Sequence, residues 1–169
     1  FGVPALLRRA LESIGGVDEA YIYGSWAARW HGEPGTRPVG DIDLLVLGAG
    51  GAARGVIPAL VEASPRRIVI ANRTPERALA LAAEFGAVFP VEACGFQGLT
   101  GQVFDAIINA TSASLQGQVP PLPGGVIRAA GWCYDLMYAR EPTAFLSWAA
   151  DRGVSHRIDG LGMLVEQAA

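Results

Sequence analysis

A chain of 169 residues and 17.7 kDa amounts to one ordinary domain, or one domain with a short appendage, and 51% apolar against 17% charged residues excludes wholesale disorder. The net charge of −3 argues against a nucleic-acid binder that relies on bulk positive charge. All 13 basic residues are arginine, so a Schiff-base lysine, a P-loop lysine and a lysine general base are excluded.

In chain order, residues 4–14 carry Leu6, Leu7, Ala10, Leu11 and Ile14 at helical spacing, and Gly15-Gly16 ends that helix. Residues 20–23 predict a short strand, 25–31 one or two helical turns, and 32–40, with three glycines and two prolines, a loop. From Ile42 to Leu47 the run is almost continuously apolar, as in a strand buried on both faces. A helix is expected over 51–63 with a kink at Pro58. A strand follows over 67–71, then a helix over 75–85 with Thr74 as its cap and Pro75 in its first turn. Further strands are predicted over 88–91, 104–109, 131–137 and 154–158, and further helices over 142–151 and 160–169. Strands alternating with helices predict an α/β fold with a parallel sheet. The Pro/Gly-rich stretch 117–125 is the longest connector within it.

Residues 48–53 read Gly-Ala-Gly-Gly-Ala-Ala and match G-x-G-x-x-A directly after an apolar strand and at the start of a helix. The first glycine permits a tight turn, the second lets a pyrophosphate approach the backbone, and Ala53 lets helix and strand pack closely. The helix start would aim N–H groups and the positive end of its dipole at phosphate. Where a site for NAD places an acid at the end of the second strand, this chain has Asn72-Arg73-Thr74 and Arg77. Guanidinium groups there favour a 2′-phosphate, hence NADP(H) over NAD(H).

Residues 46–169 resemble the NADP-binding domain of the shikimate dehydrogenase family. The resemblance rests on VLGAGGAARGV (46–56), ANRTPERA (71–78), DAIINATSASL (105–115), YDLMY (134–138) and DGLGMLVEQAA (159–169), in family order over roughly three-quarters of the chain. It implies that Asn109 and Thr111 border the nicotinamide ribose, that Gly160 to Met163 lies against the nicotinamide, and that Tyr138 and Gln167 reach toward a hydroxy-acid substrate. It also implies a separate substrate domain whose lysine and aspartate move the proton. Only about 45 residues precede the glycine loop and none is lysine, so cofactor binding is expected more strongly than turnover, since acid–base help alone is worth a factor of roughly 100 to 10,000.

Residues 21–47 carry a second resemblance. Gly24-Ser25, followed by Asp41-Ile42-Asp43, is similar to the minimal nucleotidyltransferase family of the polymerase-β-like superfamily. Asp41 and Asp43 are two apart on a strand and face one side. Paired carboxylates hold Mg²⁺ against nucleotide phosphates, Gly24-Ser25 would bind a triphosphate, and Arg29 adds a phosphate contact. The third carboxylate of that family is absent. Both resemblances share the strand 41–47, which implies an engineered chimera: a nucleotidyltransferase-like segment over 1–40 and a Rossmann NADP-binding domain over 41–169. The first Rossmann strand has neighbours on both sides in the order 3-2-1-4-5-6, so the strand 20–23 cannot also pair with it.

The fold expected is therefore α/β, a doubly wound parallel Rossmann-type sheet with an N-terminal helix–strand appendage. The leading function is an NADP(H)-binding module without efficient catalysis, through Gly48, Gly50, Gly51, Ala52, Asn72, Arg73, Thr74 and Arg77. The alternatives are a shikimate dehydrogenase-type oxidoreductase, a Mg²⁺-dependent nucleotidyltransferase using Ser25, Asp41 and Asp43, and a structural chimera with no ligand. No nucleic-acid or membrane partner is expected, since no apolar run approaches the roughly 18 residues of a membrane span. A face left by a substrate domain would favour a homo-oligomer. Two histidines and the two cysteines Cys94 and Cys133 are too few for a disulfide framework or a zinc site, and with no signal peptide they point to a reducing, cytoplasmic setting. The start at Phe1 implies a fragment or a processed chain.

Overall fold

The computed structural model of the protein describes residues 42–161. Six strands form one sheet: β1 (Asp43–Leu47), β2 (Arg67–Asn72), β3 (Val91–Gly95), β4 (Phe104–Asn109), β5 (Ile127–Asp135) and β6 (His156–Ile158). Their order is β3-β2-β1-β4-β5-β6, and every pairing is parallel. Helices α1 (Gly51–Glu62), α2 (Pro75–Phe85) and α3 (Ala144–Ala150) make the longer crossovers. Single 3-10 turns lie at Phe96–Leu99 and Ala113–Gln116.

The run over β1 is apolar at successive positions because both faces of the strand are covered. Leu44 and Val46 face α1 and α2, where they meet Ala53, Val56, Ile57 and Leu81. Leu45 and Leu47 face the opposite layer, with Leu99, Phe145, Leu146 and Ala149. Each such side chain contributes about 1.5–3 kcal/mol by leaving water. Ile68 and Ile70 in β2, and Ile108 in β4, repeat the first face, while Val69 and Ile107 repeat the second. The exposed side of α1 is tied to α2 by an ion pair between Arg54 and Glu84.

Both edges of β1 are occupied, by β2 along Asp43↔Arg67 to Leu47↔Ala71 and by β4 along Leu44↔Ala106 to Leu47↔Asn109. No edge of this strand is left for another partner. The predicted helix over 4–14, the strand over 20–23 and the whole nucleotidyltransferase-like appendage lie outside the described residues, as does the helix over 160–169 beyond Leu161.

Helix α1 runs through Pro58, as expected from the sequence. Several other features differ from expectation. Thr74 occupies the cap position of α2, but its hydroxyl makes no cap bond; Asn72 Nδ2 instead donates to the Thr74 carbonyl at 2.9 Å. The third strand is Val91–Gly95, not 88–91: Val88 and Phe89 still donate to the Phe85 carbonyl in the turn that ends α2, and Val88 is 79% exposed. β5 begins earlier than predicted, at Ile127, because its first residues pass a register irregularity opposite Phe104 and Ala106 and are largely exposed. Helix α3 is shorter than predicted and starts at a true cap, where Thr143 Oγ1 accepts from Leu146 N at 3.3 Å. Among the described residues no helix is long and apolar enough to cross a membrane.

Candidate functional site

The strand registers align Ala71, Leu47, Asn109 and Asp135 in one row across β2, β1, β4 and β5. Everything just past that row lies at the carboxyl ends of the strands, at the point where the order reverses between β1 and β4. Open parallel sheets bind ligands in this crevice.

Three segments meet there. The first is the glycine loop. Gly48 N donates to Ala71 O at 2.8 Å, and φ at Gly48 is +101°. A Cβ at Gly48 would lie 3.0 Å from Ala110 O and 3.1 Å from Thr111 Cγ2, so the turn needs glycine for its backbone and for its neighbours alike. Gly50 caps α1 in an extended conformation without a side-chain bond, and α1 has no acid in its first turn. Gly51 and Ala52 are exposed at the helix start. A Cβ at Gly50 or Gly51 would meet nothing within 4 Å. The loop thus offers uncapped N–H groups, the positive end of a twelve-residue helix and open space in front of them, the combination that receives an anion.

The second segment ends β2. Arg73, Thr74 and Arg77 are exposed, Asn72 is half-buried, and neither arginine is paired with an acid among the described residues. Arg73 follows β2 directly and Arg77 lies in the first turn of α2.

The third segment follows β4, and here the roles change. Asn109 is 0% exposed, and its side chain is fully engaged within the protein. Its Oδ1 accepts from Thr111 N at 3.2 Å and Thr111 Oγ1 at 2.7 Å, and its Nδ2 donates to Asp135 Oδ1 at 3.1 Å and Ser114 Oγ at 3.3 Å. Asn109 shapes the loop as an Asx turn, and the half-buried Thr111 is its surface member. Asp135, which the sequence alone does not single out within YDLMY, is likewise 0% exposed and lies at the centre of this network. The signal for it was an acid closing an otherwise apolar strand.

Tyr138 is 46% exposed just beyond β5, at the same end of the sheet. Gly160 is buried; its N donates to Met137 O at 3.1 Å, and a Cβ there would fall 2.2 Å from Leu136 O. The chain after β6 is therefore pressed against the exit of β5. Met163, Gln167, Ser25 and Asp41 lie outside the described residues.

Asp43 sits at the other end of β1. Its carboxylate is 3% exposed and meets arginine: Arg66 Nε donates to Oδ1 at 2.7 Å, Arg66 also reaches Oδ2, and Arg67 lies 3.6 Å away. Its backbone N donates to Asp105 Oδ2 at 2.9 Å. A carboxylate neutralised by two guanidinium groups is a poor ligand for Mg²⁺. Among the described residues no group of three or more His, Cys, Asp or Glu could hold a metal ion.

Away from the cleft, burial pushes the Cys133 thiol up to about 12, slightly relieved by Arg157. Burial, followed by the nearby Asp159 and Asp135 carboxylates, pushes the Tyr134 hydroxyl up to about 12. Cys94, half-buried on β3, is raised by burial and by Glu92. None of these groups belongs to the cleft surface.

Comparison with known proteins bears on this geometry. Residues 36–116 match the family model for shikimate / quinate 5-dehydrogenase. The shikimate dehydrogenase (NADP(+)) of Methylococcus capsulatus is 54% identical over 126 residues, covering 75% of this chain and 45% of that protein. The chain thus spans less than half the length of this curated relative. An Ael1 enzyme from Pseudomonas putida superposes with a TM-score of 0.70 at 42% identity, over 78% of this chain and 48% of that one. Shikimate 5-dehydrogenase from Thermus thermophilus, solved with NADP(H) and shikimate, gives a TM-score of 0.61 at 33% identity, over 86% and 52%. A segment of the chain therefore matches the NADP-binding domain of shikimate dehydrogenase, and the parallel six-stranded sheet matches the shikimate dehydrogenase fold. The family match begins at residue 36, ahead of the strand 41–47 in which the two sequence resemblances set a joint between families. Neither the nucleotidyltransferase-like segment nor a chimeric origin draws support from the comparisons.

Proposed function

We propose that the chain is the NADP(H)-binding domain of a shikimate dehydrogenase-type oxidoreductase. The observation that carries the proposal is the pairing of an open, uncapped glycine loop with Arg73 just past the adjacent strand and Arg77 in the first turn of α2, neither paired with an acid among the described residues, in a 3-2-1-4-5-6 sheet. The named dehydrogenase relatives support the same reading.

Each part of the cofactor has a fitting set of residues. The N–H groups of Gly50, Gly51 and Ala52 would hold the pyrophosphate at the start of α1. Arg73 and Arg77 would hold the 2′-phosphate, with Asn72 and Thr74 shaping the turn that presents them. Thr111 would border the nicotinamide ribose, with Asn109 fixing its loop from beneath. When bound, NADPH supplies or its oxidised form accepts the hydride. Tyr138, with Gln167 and Met163 from the last segment, would face a hydroxy-acid substrate and the nicotinamide.

Calorimetric titration with NADPH and NADH tests the reading. The parent chain should favour NADPH, and Arg73→Ala should weaken NADPH by about 10- to 100-fold, the worth of one charge-assisted hydrogen bond, while leaving NADH nearly unchanged. Equal losses for both cofactors would remove the 2′-phosphate role. Formation of NADPH that depends on shikimate tests the oxidoreductase part separately; binding without turnover would limit the function of this chain to holding the cofactor.

A further inference from the structure

We propose that Asp135 is a positioning residue that sets the loop after β4 against the glycine turn, and so fixes the nicotinamide side of the cleft without touching the grip on the adenosine side. The proposal rests on the NADP(H) reading above.

The Asp135 carboxylate accepts four hydrogen bonds, each from a different place in the chain. Oδ1 takes Asn109 Nδ2 and Met137 N, both at 3.1 Å, and Oδ2 takes Ser114 Oγ and Thr143 Oγ1, both at 2.6 Å. The donors come from the end of β4, the 3-10 turn after it, the exit of β5 and the cap of α3. All four are neutral. A buried carboxylate without a cationic partner is costly and persists only where its lone pairs are filled. An apolar residue would fill the space at less cost but could not join four segments. An ionised carboxylate accepts and never donates, which is the property the site uses.

Its effect passes through Asn109. Facing an acceptor-only partner, the Asn109 amide must turn Nδ2 toward Asp135. Its Oδ1 is then left for the N–H and hydroxyl of Thr111. That turn holds Ala110 and Thr111 against Gly48, within 3.0–3.1 Å of where a Cβ would stand. The path thus runs from β5 through β4 to the edge of the glycine turn on β1. Arg73, just past β2, and Arg77, in the first turn of α2, lie beyond it, at the far side of β1. Disturbing Asp135 should therefore separate the two halves of the cofactor site.

The test titrates the full 169-residue chain with NADPH and with adenosine 2′,5′-bisphosphate, which carries the 2′-phosphate end and no nicotinamide. Asp135→Asn keeps the shape but introduces a donor, so the Asn109 amide loses its reason to point one way. Affinity for NADPH should fall about tenfold or more, while the bisphosphate stays within about twofold of the parent. Ser114→Ala removes one of the four donors and should shift the same ratio by a smaller factor; it carries the test if Asp135→Asn does not fold. A general loss of structure would weaken both ligands alike. Equal losses, or no loss, in a variant that still unfolds cooperatively would overturn the positioning role. A parent chain that binds neither ligand would remove the NADP(H) reading itself and overturn this proposal with it.

Discussion

Replacing Gly51 by alanine separates the folding role of the glycine loop from its binding role. Gly51 is the first residue of α1, and a Cβ there meets nothing within 4 Å. Folding should be unaffected, or favoured by up to about 1 kcal/mol, because alanine restricts the unfolded chain. The same methyl group would stand in the open space where phosphate oxygens approach the helix start. Losing one phosphate hydrogen bond costs about 1.5–3 kcal/mol, so NADPH affinity should drop roughly 10- to 100-fold. Gly48→Ala supplies the contrast. With φ at +101°, a non-glycine residue costs about 1–3 kcal/mol. Its Cβ would also press on Ala110 O and Thr111 Cγ2 at 3.0 and 3.1 Å, adding about 1–3 kcal/mol. Urea denaturation should place Gly48→Ala about 2–6 kcal/mol below the parent and Gly51→Ala at or above it. NADPH binding at parental strength by Gly51→Ala would refute the phosphate path drawn here. So would a stability loss in that variant equal to that of Gly48→Ala.

Further outcomes are expected elsewhere in the molecule. Asp43→Asn should cost about 1–3 kcal/mol in urea denaturation, toward the lower end because Arg66 is half exposed; a loss below about 0.5 kcal/mol would show that the arginine pairing contributes little. The Tyr134 hydroxyl is buried and makes no hydrogen bond among the described residues, so Tyr134→Phe should raise stability by about 1 kcal/mol, and a clear decrease would mean the hydroxyl is satisfied in solution. Cys133 and Tyr134 both rise to about 12, from 9.0 and 10.0, so the folded state holds their protons longer than the unfolded chain does. Their contribution is complete below pH 9 and is lost as pH rises from there toward 12, at up to about 1.4 kcal/mol per pH unit for each group. Urea denaturation at pH 8, 9.5 and 11 should show this decline, and Tyr134→Phe should flatten its upper part; stability independent of pH over that range would overturn the argument.

How much of this was legible in the sequence depended on how local each signal was. β1, β2 and β4 are buried on both faces, so unbroken runs such as Leu44 to Leu47 disclosed them directly. The glycine loop was legible because strand, turn and helix follow one another without interruption, and Arg73 and Arg77 because they follow the next strand within a few residues. β3 was misplaced because Val88 and Phe89 are apolar yet belong to the turn closing α2. The start of β5 was hidden by exposed residues opposite an irregular register. The network around Asp135 could not be read at all. Its link to Asn109 spans 26 positions and exists only because β4 and β5 pair in one particular register. For the same reason the sequence alone puts Asn109 on the surface of the cleft, whereas it is the buried support for Thr111.

The central place of β1 also has a consequence for how the chain is made. Its partner across the β4 edge arrives late: Asp43 and Asp105, which meet through a hydrogen bond, are 62 positions apart. At about 5–20 residues per second, a ribosome takes roughly 3–12 seconds to deliver the second neighbour after the first strand has emerged. During that interval the most apolar strand of the fold carries an unpaired row of N–H and C=O groups, an invitation to other nascent chains. The β1–α1–β2 unit can cover one edge in the meantime, but the other waits for β4. Slowing synthesis between the codons for Asn72 and Phe104 should therefore lower the soluble yield, while the same delay placed after Asp135 should not.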